Sequence, residues 1–82
     1  MKNDVQSIDI DSVNVNRNDV ERLLRLMPNP RYRQLIRLRY LEQKSNEETA
    51  ACLGMTMANY YNKHKLAKQQ YMKIYKKEAQ HE

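Results

Sequence analysis

Glycine and cysteine are nearly absent from this chain, and phenylalanine and tryptophan wholly so. Its 82 residues hold one glycine, one cysteine, two prolines, no tryptophan and no phenylalanine. A single glycine excludes the glycine-rich loops that cradle phosphates. A lone cysteine excludes an internal disulfide and suits a reducing compartment. No apolar run approaches the ~18 residues of a membrane span, and the opening MKNDVQSIDID has no apolar stretch of signal-peptide length. The chain therefore reads as cytoplasmic, without a membrane partner. No Ser/His/Asp or Cys/His arrangement has an evident scaffold, and neither Cys52 nor His81 stands at ligand spacing from His64. The reading is non-catalytic, with no metal and no cofactor.

Six tyrosines, five methionines and the aliphatics must supply the core. That supports one small domain of modest stability. Charge is uneven. Residues 1–21 carry two basic and five acidic side chains, a net −3. Residues 22–82 carry thirteen basic and five acidic, a net +8. A basic body fits a polyanion partner, and equally a well-solvated surface.

The densest pattern lies at Ser45–Leu66. Ser45 and Glu48 are spaced as a capping box. Ala50 is small where two helices would cross, and Leu53 anchors the end of the first helix. Gly54 occupies the position of a left-handed closing residue. Thr56 is a good cap for the next helix. Together these predict a helix-turn-helix, the unit that lays its second helix in a DNA major groove. Cys52, one turn from the end of the first helix, is expected to pack as a small apolar group.

Residues 1–17 read as a linker or as an arm that docks on a partner, and 18–82 as the folded domain. Asn18 and Glu21 suggest the start of a first helix, with Val20, Leu23, Leu24 and Met27 on one apolar face. Pro28 ends it. Asn29-Pro30 restarts the chain as a second helix, with Tyr32, Leu35, Ile36, Leu38, Tyr40 and Leu41 on a broad apolar face. Arg33 and Arg37 would stack on its outer surface with no acid between them. A long fourth helix is predicted over Met57–Ala79, roughly 35 Å at 1.5 Å per residue. Tyr60, His64, Ala67, Tyr71 and Ile74 form its apolar stripe, with His64 read as a packed, hydrogen-bonded histidine. Its second half is expected to pack back on the first helix or to fray. The fold class is all-α: four helices, a helix-turn-helix, and a long C-terminal recognition helix.

With Tyr60 in the core, Ala58, Tyr61, Asn62, Lys65 and Gln69 lie on the opposite face at roughly 100° per residue. Asn62 suits adenine, Ala58 a thymine methyl, and Tyr61 a methyl or a phosphate. Asn62 and Tyr61 are also ordinary surface residues at such positions. Thr56 and Met57 sit at the helix N-terminus, where backbone N–H groups favour a phosphate. Lys63, Lys65, Lys68, Arg37, Arg39 and Lys44 are candidate phosphate contacts. Lys73, Lys76 and Lys77 read as a solvated face.

Met27-Pro28, the tract from Tyr32-Arg33 to Leu38-Arg39-Tyr40-Leu41, Ser45-Asn46-Glu47-Glu48, Ala50, Leu53-Gly54-Met55-Thr56 and Ala67 together carry a resemblance. Over about residues 19–70 the chain resembles region 4 of bacterial sigma-70 family sigma factors, and most of all the extracytoplasmic-function type. Response-regulator helix-turn-helix domains share the second half of this pattern. The resemblance implies a four-helix domain that places its last helix on the promoter's minus-thirty-five element and binds the β flap of RNA polymerase. It also implies that an anti-sigma factor can cover the same faces. It puts base reading on Met57, Ala58, Tyr61, Asn62 and Lys65, and flap contact around Leu23, Leu24, Leu35 and Leu38. The chain departs from the family at Thr49, where an aliphatic residue is usual and a hydroxyl should weaken the core. Region 2, which opens the promoter, is not in this sequence. Two alternatives remain open: a protein-interaction module that docks on polymerase or an anti-sigma factor, and another helix-turn-helix regulator.

Overall fold

The computed structural model describes residues 16–79. The suggested arm lies almost wholly outside them. Helix α1 spans Arg17–Leu26 and α2 spans Pro30–Ile36, running directly into a π-helical turn at Arg37–Leu41. Helices α3 (Asn46–Leu53) and α4 (Met57–Ala79) form the helix-turn-helix. The all-α, four-helix expectation holds among the described residues.

The cap of α1 is Asn16, not Asn18. The Asn16 Oδ1 accepts from the backbone N–H groups of Asn18 and Asp19 at 2.9 and 3.3 Å. Capping preference does not separate two asparagines so close together. A distant contact favours the earlier start: the Arg17 guanidinium donates to the Leu41 carbonyl at 3.3 Å, tying α1 to the end of the π turn. Met27 takes extended backbone, as the residue before a proline should. Asn29 then caps α2, accepting from Arg31 and Tyr32 at 2.9 and 3.2 Å, with Pro30 at the first position.

The second helix does not stay α-helical. A regular helix would spread Leu35, Ile36, Leu38 and Leu41 over more than half its circumference at roughly 100° per residue. The wider π turn over Arg37–Leu41 leaves all four buried. It closes through Glu42 N–H to the Arg37 carbonyl at 3.0 Å and Lys44 N–H to the Leu38 carbonyl at 2.9 Å. Gln43 takes φ 59° to make the exit. Arg33 is not free on the outer surface. It is half-buried and donates to the Met27 carbonyl at 3.1 Å, bracing the α1–α2 corner.

Helix α3 opens on the expected capping box. Ser45 N–H donates to Glu48 Oε1 at 2.9 Å, and Glu48 N–H donates to Ser45 Oγ at 3.0 Å. Thr49 does not leave a hole in the bonding beneath the turn. It is fully buried, and its hydroxyl donates to the Ser45 carbonyl at 2.8 Å. Gly54 sits at φ 68°, ψ 36°, and closes α3 with N–H bonds from Gly54 to Ala51 and from Met55 to Ala50. This paired closure needs the left-handed residue that glycine supplies. Cys52 is exposed, against expectation, because α3 presents Thr49 and Ala50 inward. Thr56 caps α4, its hydroxyl accepting from Asn59 N–H at 3.2 Å.

The core joins Val20, Leu23, Leu24 and Met27 of the α1 region to Leu35, Ile36 and Leu41, and all of these to Tyr60, Ala67, Tyr71 and Met72 of α4. The second half of α4 packs on α1, with Tyr71 and Met72 buried and Arg22 paired to Glu78 at 3.3 Å. Burial pushes the Tyr71 phenol up to about 12, with Asp19 adding to the effect. Leu23, Leu24, Leu35 and Leu38 are each at most 6% exposed. They cannot form the flap-facing surface suggested by their positions, because the crossing of α4 over α1 and α2 covers them.

Two outcomes follow for stability. A Cβ at Gly54 meets no atom within 4 Å, so Gly54→Ala should cost only the left-handed strain of about 1–2 kcal/mol, read by urea unfolding. The Glu48 carboxyl is held below its usual range, first by the Ser45 backbone N–H. An acid lowered on folding stabilises the fold above its unfolded pKa and loses that contribution as pH falls through the folded value. The protection of the Ser45 amide, measured as its exchange relative to the intrinsic rate at each pH, should therefore fall on acidification, and Glu48→Gln should flatten that dependence of the protection.

Candidate nucleic-acid interface

The orientation of α4 is decided at Tyr60. This side chain is fully buried, and its hydroxyl donates to Asn46 Oδ1 at 2.6 Å, linking α4 to the start of α3. Burial raises the Tyr60 phenol above its ordinary value, with Arg39 opposing the shift. With Tyr60 inward, Ala58, Tyr61, Asn62 and Lys65 are all exposed. At roughly 100° per residue they share one face of the helix, and Gln69 continues it. The Tyr61 ring is 51% exposed and meets the Tyr60 ring edge-on at 5.3 Å, so a buried ring supports an outward one.

Met57 differs from its neighbours. It is half-buried and packs against the core, so its side chain offers less surface to a groove than Ala58 does. Thr56 is exposed, but its hydroxyl serves the α4 cap.

The basic residues divide into two groups. Arg37, Arg39 and Lys44 lie on the π turn and its exit, and all three are half-buried. Arg39 is committed to the fold: it donates to the Lys44 carbonyl at 2.9 Å, and its guanidinium carbon lies 5.1 Å from the centre of the Tyr40 ring. Lys63 belongs elsewhere. It lines a cleft with Asn29, Arg31 and Tyr32 at the start of α2. Lys68 is half-buried, while Lys73, Lys76 and Lys77 are exposed.

His64 behaves as a packed histidine. Its ring stacks on Tyr60 at 5.3 Å and on Tyr40 at 6.1 Å, and its Nε2 lies 3.1 Å from the Tyr40 hydroxyl. Among the described residues, no group of three His, Cys, Asp or Glu side chains is placed to hold a metal ion, and no helix is long and apolar enough to cross a membrane. Arg31 was not singled out from the sequence. Its guanidinium donates to the Leu53 carbonyl at 3.1 Å and so reaches the turn of the helix-turn-helix. Nothing in the local pattern marks that contact, because the partners stand 22 positions apart.

This arrangement presents a rigid helix with a small residue, an aromatic, an amide and a cation on one exposed face, flanked by further cations. It is chemically suited to base edges and phosphates. A family model described as "Sigma-70, region 4" matches residues 17–70. No curated protein and no solved structure matches the chain. The family match takes in α1, α2, the π turn, α3 and much of α4, well over half of the sequence, and on that basis the chain belongs to the sigma-70 region 4 family.

Proposed function

We propose that this domain reads the minus-thirty-five element of a promoter through the exposed face of α4, as the C-terminal part of an extracytoplasmic-function sigma factor. Region 4 domains are DNA-binding parts of the transcription-initiation machinery, with DNA and RNA polymerase as partners. The observation that carries the finer reading is the joint exposure of Ala58, Tyr61, Asn62 and Lys65 on a helix whose start is fixed by Gly54 and Thr56. In this reading Asn62 bonds adenine, Ala58 and Tyr61 meet thymine methyls, and Lys65 reaches a base edge. Met57 contributes through its backbone position. Thr56, Arg37, Lys44, Lys63 and Lys68 contact phosphates, and Arg39 holds the Lys44 loop in place for them. The working compartment is the bacterial cytoplasm.

A second reading, docking on the polymerase β flap or an anti-sigma factor, gains support from Leu26 and Leu66. These are 48% and 41% exposed and lie outside the core. They replace the buried leucines as the apolar contacts such a partner would find.

The test is an amide NMR titration of the labelled chain with promoter-like and scrambled duplexes at two salt concentrations. Shifts should concentrate on residues 56–65 and be larger for one duplex. Asn62→Ala should reduce discrimination between duplexes by about 1–3 kcal/mol. Lys44→Gln should weaken both duplexes alike and lower the salt slope by about 0.9. Equal shifts with every duplex, unaltered by Asn62→Ala, would remove base reading, and no shift with any duplex would leave flap docking as the domain's main role.

A further inference from the structure

A cleft of about 160 Å³ opens between α2 and the first two turns of α4, lined by Asn29, Arg31, Tyr32, Leu35, Met55 and Lys63. Its floor is apolar. Leu35 is fully buried, and Tyr32 and Met55 pack against the core beside it. Its rim offers hydrogen-bond donors. The Asn29 oxygen is spent on the α2 cap, which leaves the N–H groups of its amide. Arg31 spends one N–H on the Leu53 carbonyl, which holds the guanidinium in place and leaves others. Among the described residues, the Lys63 ammonium and the Tyr32 hydroxyl make no hydrogen bond or ion pair. No carboxylate lines the cleft. Two cations therefore share a hollow of mixed polar and apolar lining without a counter-charge, a setting that attracts an anion. The volume is of the size of one small ring, in a cleft that stays open to solvent on one side.

We propose that this cleft binds a small organic oxyanion, a ring-sized apolar body bearing one carboxylate or phosphate, and that its occupancy withdraws Lys63 from DNA. The body rests on Met55 and Tyr32, which cover the buried Leu35. The oxyanion takes charge-assisted bonds from Lys63 and Arg31, with Asn29 and the Tyr32 hydroxyl completing the set. Lys63 lies some 100° around α4 from Asn62, so the ligand occupies the flank of the helix and leaves the reading face open. The ligand then tunes affinity for DNA rather than sequence preference. The second half of the proposal rests on Lys63 being a phosphate contact; the first half does not.

The experiment titrates the labelled full chain with phenyl phosphate, benzoate, inorganic phosphate and benzyl alcohol, following amide shifts. Phenyl phosphate and benzoate should give saturable shifts at residues 29–35, 53–55 and 63. Inorganic phosphate and benzyl alcohol each lack one half of the ligand and should bind at least about tenfold more weakly. Lys63→Gln and Arg31→Gln should each weaken phenyl phosphate, while Lys73→Gln, outside the cleft, should not. Retained spectral dispersion shows that each variant folds. Shifts that never saturate would overturn the site. So would inorganic phosphate binding as tightly as phenyl phosphate, or Lys73→Gln weakening it equally, since either means diffuse charge attraction. Saturating phenyl phosphate should lower DNA affinity of the unmodified chain and leave that of Lys63→Gln unchanged. Cleft binding without this effect overturns the coupling to DNA. If no duplex binds while the cleft fills, the promoter reading fails and the anion site stands.

Discussion

Tyr60 is the side chain on which the rest of the structure depends. It is fully buried, bonded to Asn46, stacked on His64 and edge-on to Tyr61. The Asn46 bond joins α4 to α3, and His64, which also stacks on Tyr40, carries the link on to the π turn; together they set the rotation of α4 about its own axis. A helix so held cannot turn Asn62 inward without expelling a large aromatic from the core, and burying such a ring is among the larger single contributions to a small domain. The phenol's raised pKa has the same origin: the ring is desolvated, and its hydroxyl bond is the compensation for that desolvation.

Around this anchor the chain uses short-range devices to stop and restart its helices. The Pro28 junction, the Asn29 cap, the Ser45–Glu48 box, the Gly54 closure and the Thr56 cap each satisfy backbone groups that a helix end leaves open. The result is four helical segments on a core containing no phenylalanine or tryptophan. Arginines supplement this modest core at its corners. Arg17, Arg31, Arg33 and Arg39 each donate to a backbone carbonyl of another segment, at Leu41, Leu53, Met27 and Lys44. Part of the chain's positive charge thus serves the fold, which is why net charge alone could not separate a polyanion-binding surface from a solvated one.

The flanks of the recognition helix differ in character. On one side Tyr40, His64 and Arg39 form a stacked group against the π turn. On the other, Lys63 and Arg31 line one cleft. Both flanks are cationic, but the first has its rings and guanidinium engaged with each other, while the second keeps donors in reserve. The exposed face between them is left to Ala58, Tyr61, Asn62 and Lys65.

The sequence by itself determined where most helices begin and end, because a cap and its partner lie within four residues of each other. Ser45 with Glu48, Asn29 before Pro30, and Gly54 before Thr56 were legible for that reason, as was the phase of α4 from the Tyr60, Ala67 and Tyr71 spacing. Asn16 and Asn18 were equivalent as caps, and the earlier start brings Arg17 into the helix, where it pairs with Glu21 and reaches the Leu41 carbonyl. Tertiary structure alone decided that Leu23, Leu24, Leu35 and Leu38 are covered, that the second helix widens into a π turn, and that Cys52 faces outward. It also decided which arginines are spent on the fold. Each of these depends on what lies opposite a residue in space, and that is set by the crossing of α4 over the first two helices rather than by any neighbour in the chain.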